Sequence, residues 1–312
     1  MAKKSKKSKA KKSAAKKAEQ LAQAVVPIEP MAPLRDLLRV PQGPVEMAAL
    51  DARATPGYPG KGKEDAAAFT AALGPQLSDL QERLYADGRD DAAGAKRVLM
   101  VLQGMDTSGK GGVIRHAIGL VDPQGVHLKA FKAPTKEELS HHFLWRIKQE
   151  LPGPGMIGIF DRSHYEDVLI GRVNELASAR TITSRYDQIN RFEAELVEQG
   201  ITVIKCFLRI SRDEQLARLN ERLDNPEKHW KYNPGDVDSR ARWDDYEEAY
   251  ALALEKCNTD VAPWYVLPSD RKWYRNWAAA QLLLEHLEAL DPQWPKADFD
   301  VEAERQRLNA LG

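Results

Sequence analysis

The sequence predicts an α/β fold: a parallel five-stranded sheet flanked by helices, with a helical hairpin inserted before the last strand. Three observations carry that expectation. Five short runs rich in Val, Ile, Leu and Phe alternate with helical patterns from residue 97 onward. Buried strands joined through helices argue for parallel pairing with right-handed crossovers. The first run leads directly into a segment holding Gly104, Gly109 and Lys110, and the third ends on an acid, Asp161.

The 312 residues open on a low-complexity tail. Nine lysines and no acid lie in residues 1–18, so the other 294 residues carry 37 basic and 46 acidic groups, a balance of −9. Such a tail cannot bury enough apolar surface to order itself, and it is expected to be disordered. It is read as a solubiliser or as a tether for polyanions, since clustered lysines gain from counterion release on any phosphate chain. Residues 19–62, with seven prolines, read as an extended arm rather than a packed unit. Residues 63–295 are taken as the main domain, and 296–312 as a carboxyl-terminal tail.

Within the main domain, Phe69, Leu73, Leu77, Leu80 and Leu84 repeat at three- and four-residue spacing, which predicts a helix over 63–87. Strands are expected at 97–103, 126–132, 155–161, 200–210 and 263–269. Helices are expected at 111–121, 136–150, 185–199 and 272–290, with a long helical stretch over 212–256. No apolar run approaches the roughly 20 residues that span a bilayer, and no apolar stretch follows the basic amino terminus as a secretory signal requires. The two cysteines, Cys206 and Cys257, fit neither a disulfide framework nor a zinc site, and a cytoplasmic location is expected.

The chemistry is expected at the ends of the first and third strands. Gly104-Met-Asp-Thr-Ser-Gly-Lys110 has the spacing G-x-x-x-x-G-K of a phosphate-binding loop, set between a strand and a helix where the motif has mechanical meaning. Gly104, Gly109, Gly111 and Gly112 allow backbone N–H groups to turn around phosphate oxygens at the positive end of a helix dipole. Lys110 adds a mobile full charge. Gly111 stands where ATP-using loops of this kind place the Ser or Thr that holds Mg²⁺, and Asp106, inside the loop, is the candidate to hold the cation instead. Asp161 has the placement of a second metal-bracing acid, because ligands of open parallel sheets bind at the carboxyl ends of the strands. Asp106 and Asp161 are thus the candidate metal ligands, and Arg162 a candidate for stabilising transition-state charge. His164 is expected to pack locally, and His141-His142 lacks a metal-partner pattern.

The hairpin over about 211–256 is read as a lid. Ser211-Arg-Asp-Glu214 has capping-box spacing, Asn225-Pro226 stops the first helix, Asn233-Pro-Gly-Asp236 is a turn, and a second helix starts at Ser239. Arg218, Arg222 and Lys231 are its candidate phosphate-binding groups, with Arg222 and Lys231 preferred.

Several long segments together resemble the polyphosphate kinase 2 family: LQGMDTSGKGG, VDPQGVHLKAFKAPTKEELSHHFLWR, IGIFDRSHYEDVLIGRV, ISRDEQLARLNERLDNPEKHWKYNPGD and APWYVLPSDRKWYRNW. The likeness spans roughly residues 81–290. It implies a P-loop kinase-like fold and phosphate transfer between inorganic polyphosphate and nucleotides. Asp106 and Lys110 match the family's loop acid and lysine, Asp161-Arg162 its strand-end pair, and Arg222 and Asp236 its lid residues. The wording is most similar to the branch acting on AMP and ADP, whose members commonly carry Asn at the position of Asp161. The resemblance further implies Mg²⁺ (or Mn²⁺), a cytoplasmic homo-oligomer, and no specific nucleic-acid or membrane partner. Two rival readings are an ATP-dependent nucleoside monophosphate kinase, which Gly111 and Asp106 disfavour, and a nucleic-acid binder using the tail, which the −9 body disfavours.

Overall fold

The computed structural model describes residues 32–90 and 94–311; the Lys-rich tail, and the expectation of its disorder, lie outside the described residues. The chain enters through a short helix α1 (Leu34–Leu38), then α2 (Lys63–Ala72) and α3 (Gly74–Asp90). The βα alternation follows: β1 (Arg97–Gln103), α4 (Lys110–His116), β2 (Val126–Ala130), α5 (Lys136–Ser140), α6 (Trp145–Lys148) and β3 (Ile157–Asp161). Next come α7 (Ile170–Val173), α8 (Ala179–Glu198), β4 (Ile201–Arg209) and the hairpin helices α9 (Arg212–Asp224), α10 (Gly235–Ala241) and α11 (Trp243–Lys256). The chain closes with β5 (Trp264–Pro268), α12 (Lys272–Leu290) and an exposed helix α13 (Val301–Asn309).

All five strands are parallel, in the order β2-β3-β1-β4-β5, as the alternation predicts. Side chains on successive strand positions face opposite sides, and both sides are apolar. Leu99 and Val101 of β1, Phe160 of β3 and Val203 and Phe207 of β4 pack with α8 and α11. Val98, Met100 and Leu102 of β1, with Ile157 and Ile159 of β3, pack with α3, α4 and α12. Burial on both faces is why these strands read as continuous apolar runs rather than alternating ones. Because β1 is central, its carboxyl end is flanked by those of β3 and β4. Leu102 pairs with Asp161 and Gln103 with Phe207.

Several helices are shorter than their patterns predict. The stretch 63–87 breaks at Leu73: Pro75 lacks an N–H and disfavours a helical residue before it, so α3 starts afresh with proline in its first turn. In 136–150, the capping box of Thr135 and Glu138 starts α5, but His141 is extended and α6 begins only at Trp145, on which the His141 ring stacks. The hairpin's second helix is not continuous from Ser239: α10 starts at Gly235, and a break at Arg242 separates it from α11.

The arm departs most from expectation, because its described part is packed. Leu34, Leu38 and Val40 are buried. Glu285 of α12 accepts from the backbone N–H of Leu34 at 2.8 Å and of Arg35 at 2.9 Å, capping α1 from outside. Val40 N–H donates to Trp264 O, so the arm pairs along β5. Tyr58 sits edge-on to Phe69, Trp273 and Trp277.

Candidate active site

The end of β1 turns into the glycine loop with Gly104 at φ +154° and Gly109 at φ +109°, conformations that favour glycine. Lys110, the first residue of α4, folds its ammonium back to Gly104 O at 2.8 Å. The hydroxyls of Thr107 and Ser108 are buried and take no hydrogen bond among the described residues. Gly111 differs from its neighbours: a Cβ there would meet nothing within 4 Å. The missing Ser or Thr hydroxyl is therefore not excluded by space, and its absence is a chemical feature of the loop.

β3 delivers Asp161 beside this loop. Its carboxylate takes no hydrogen bond or ion pair among the described residues, although it lines the same cavity as Asp106, Lys110 and Arg222. Arg162 follows in the left-handed region at φ +65°, a conformation costing about 1–3 kcal/mol for a non-glycine residue. That turn brings its Nη2 to Asp106 Oδ1 at 3.0 Å. Burial alone would lower the Arg162 pKa, but Glu166 and Asp106 together raise it, so it stays charged.

Two cavities adjoin at Asp106 and Arg162, which line both. The first, about 370 Å³, lies over the loop and is ringed by Lys110, Lys132, Arg162 and Arg222 against only two acids, Asp106 and Asp161. The second, about 270 Å³, lies under the hairpin and is lined by Glu166, Asp236, Tyr246 and Tyr250 among others. Asp236 has its pKa raised by burial and by Asp106, with Arg222 opposing. Arg222 Nη1 donates to Asp236 Oδ2 at 3.0 Å and to Lys231 O at 2.9 Å, so the two lid residues implied by the family resemblance, Arg222 and Asp236, form one ion pair. Lys231 contributes that carbonyl, while its ammonium lies over the exposed Trp230 ring and lines neither cavity.

Arg218 is not a phosphate-binding residue. A guanidinium has five N–H donors, and all five are spent: Glu214 Oε1, Thr107 O, Ser108 O, Ser269 O and Asp270 O accept them. It is 5% exposed and clamps the loop to the end of β5. Gln215, one turn earlier in α9, also holds the loop, donating to Asp106 O at 3.1 Å. The first half of α9 is therefore part of the loop's support rather than a free lid. Of α11, Ala249, Tyr250, Ala253 and Leu254 belong to the core.

Two residues at or beneath the site escape sequence reasoning. Glu166 reaches the hairpin cavity through the 3₁₀ turn His164–Asp167, a shape with no periodicity to read. Burial raises its pKa against the pull of Arg162 and Lys110, and the Gln103 amide donates to its Oε1 at 3.0 Å while accepting from Ser163. Arg275 is the one arginine of α12, buried in its first turns between Tyr274 and Trp277. His164 is fully buried and bonds Glu193 at 3.2 Å, a packing role as expected.

The family model described as polyphosphate kinase 2 matches residues 62–295. An AMP/ADP-polyphosphate phosphotransferase of Meiothermus ruber is 45% identical over 262 residues, covering 84% of this chain and 96% of the relative. An ADP-polyphosphate phosphotransferase of Rhodopseudomonas palustris is 39% identical over 233 residues, 71% of this chain and 78% of the relative. The crystal structure of polyphosphate kinase 2 from Arthrobacter aurescens TC1 superposes with a TM-score of 0.87 at 51% identity, covering 92% of this chain and all of that one. A match that runs from the first residue before α2 to beyond the end of α12 includes the loop with its acid, the strand-end Asp161 and the whole hairpin, and the chain belongs to the polyphosphate kinase 2 family.

Proposed function

We propose that the protein transfers the terminal phosphoryl group of inorganic polyphosphate to a nucleoside mono- or diphosphate, AMP or ADP. One observation carries the assignment of substrates: two chemically different cavities meet at Asp106 and Arg162. The loop cavity, with four cations around two acids, suits a polyanionic donor. The hairpin cavity pairs the aromatic rings of Tyr246 and Tyr250 with polar groups, which suits a nucleotide's base and sugar. The acceptor phosphate then faces the donor across the shared pair.

Transfer is in line. The bond from the terminal phosphorus to its bridging oxygen breaks as one forms to an acceptor phosphate oxygen, and the shortened chain leaves with the bridging electrons. That acceptor oxygen is already anionic near neutral pH, since the second phosphate pKa is about 6, so no general base is required. Lys110, Arg162 and Arg222 balance the charge spread over the equatorial oxygens, and catalysis is positioning plus fixed electrostatics.

The residues present fit Mg²⁺, with Mn²⁺ as its substitute. Asp161 has no protein donor, Asp106 has one, and no cluster of three or more potential ligands exists among the described residues. Mg²⁺ prefers such a site, bound through one or two carboxylates with substrate phosphates and water completing the shell. Bound there by Asp106 and Asp161, it would neutralise phosphate charge. Among the described residues no helix is long and apolar enough to cross a membrane, and both cysteines are buried free thiols, which supports action in a reducing cytoplasm.

The deciding experiment supplies purified protein with AMP or ADP and Mg²⁺, adds either polyphosphate or ATP, and follows nucleotide products. ATP formed from ADP with polyphosphate as the sole donor supports the reading. Phosphorylation of AMP by ATP alone, with polyphosphate inert, would make it an ATP-dependent kinase.

A further inference from the structure

Beneath the phosphate loop two guanidiniums meet at one carbonyl. Arg218 Nη1 and Arg275 Nη1 donate to Ser108 O at 3.1 and 3.0 Å. Neither arginine lines the loop cavity or the hairpin cavity. Arg218 has Glu214 as a counter-charge; Arg275 has none among the described residues. Two further donors of Arg275 go to the neutral Asn276 Oδ1, from Nη2 at 2.8 Å and Nε at 3.3 Å. Among the described residues no carboxylate pairs with it, and only 3% of it is exposed.

The loop is shaped around this side chain. A Cβ on Gly109 would overlap Arg275 Nη1, and one on Gly112 would overlap Nη2. The second glycine of the motif thus does more than permit a turn: it leaves the guanidinium room directly under the loop backbone. Burial, with Arg218 alongside, pushes the Arg275 pKa down to about 9, so the group is charged at neutral pH and pays for it in lost hydration. A buried charge without a partner is ordinarily selected against.

We propose that Arg275 is a positioning residue for polyanion binding, a fixed positive charge that holds the loop through Ser108 O and is neutralised across the loop by bound phosphate. The inference rests on the reading that this loop binds a phosphate chain. A charge already in place needs no reorganisation when the ligand arrives, and in a poorly screened interior it acts across the few ångströms of one backbone layer. Its effects on the empty and the loaded protein have opposite signs: it burdens the ligand-free fold and strengthens anion binding. A residue that only props the loop would move both in the same direction.

The test compares the full chain with Arg275→Gln and Arg275→Lys, using inorganic triphosphate without Mg²⁺ in calorimetry and thermal unfolding, then steady-state turnover with polyphosphate. For Arg275→Gln the expectation is a ligand-free Tm equal to or above the parent, triphosphate Kd weaker by at least tenfold, and polyphosphate KM raised by at least tenfold with kcat within threefold. Arg275→Lys keeps the charge but not the fork, and its triphosphate Kd should stay within threefold of the parent. A lowered Tm with Kd within twofold in Arg275→Gln would overturn the proposal, as would Arg275→Lys binding at least tenfold more weakly than the parent. The lysine variant decides the matter alone if the glutamine variant does not fold. A parent protein that fails to bind triphosphate would overturn the loop reading itself, an outcome separable from equal binding by parent and variants.

Discussion

Arg162 donates from Nη2 to Asp106 Oδ1 at 3.0 Å, which ties the residue after the strand-end acid to the acid inside the phosphate loop. The pair stands where the two cavities meet. It neutralises part of Asp106 in the ligand-free protein, and it leaves Asp161 as the carboxylate with no protein donor.

Asp106→Asn keeps size and an oxygen for Arg162 while removing the charge assigned to the cation. Folding should survive with a Tm close to the parent. Turnover should fall at least 100-fold, because several kcal/mol of metal electrostatics are at stake and about 1.4 kcal/mol is tenfold. Triphosphate binding without Mg²⁺ should be equal or tighter. Near-parent turnover in a steady-state assay would make Asp106 structural.

Gly111 and Gly109 should respond oppositely to alanine. At Gly111 the added Cβ meets open space inside a helix, where Ala is favoured over Gly by up to about 1 kcal/mol. At Gly109 the Cβ overlaps Arg275 and the backbone sits at φ +109°, so a loss of about 2 kcal/mol or more is expected. Denaturant unfolding of the two variants measures both. Equal stabilities would mean that Arg275 moves aside freely.

Glu166→Gln should stabilise the ligand-free protein at neutral pH. The sign follows from the raised carboxyl pKa in the folded state: between its ordinary value of 4.5 and the raised one, the folded state holds more protons than the unfolded state. Stability therefore falls as pH rises through that window. The variant's advantage in Tm should be present at pH 7 and vanish below the ordinary value. A pH-independent difference would assign it to packing instead.

Arg222→Ala removes a cation from the loop cavity and strips Asp236 of its partner. If the arginine closes on transition-state charge, kcat should fall at least 100-fold with apparent KM values within threefold, and Arg222→Lys should recover part of the loss. A rise in KM with kcat unchanged would make it a docking residue.

The sequence by itself determined the sheet and the chemical identity of the site. β1 falls on the expected 97–103, α12 on 272–290, and the other strands lie within two residues of their expected ends; β1, β3, β4 and β5 are legible because burial on both faces favours near-continuous apolar runs, whereas the edge strand β2, Val-His-Leu-Lys-Ala, is only partly buried. Asp106, Lys110 and Asp161 were legible because they stand at fixed positions in the loop or at a strand end, Arg222 through the basic hairpin and the family resemblance, and the fold brings all four to one cavity. What only the tertiary structure decided depends on partners distant in the chain. The arm packs because Glu285 and Trp264, more than 200 residues away, supply its missing hydrogen bonds. Arg218, which read as a phosphate ligand, is a clamp because carbonyls from two separate loops surround it, and Arg275 sits under Gly109 and Gly112 for reasons no local pattern records. Arginine carries the same charge in every sequence; whether it meets substrate or backbone is set by which acceptors the fold places within about 3 Å of its five donors.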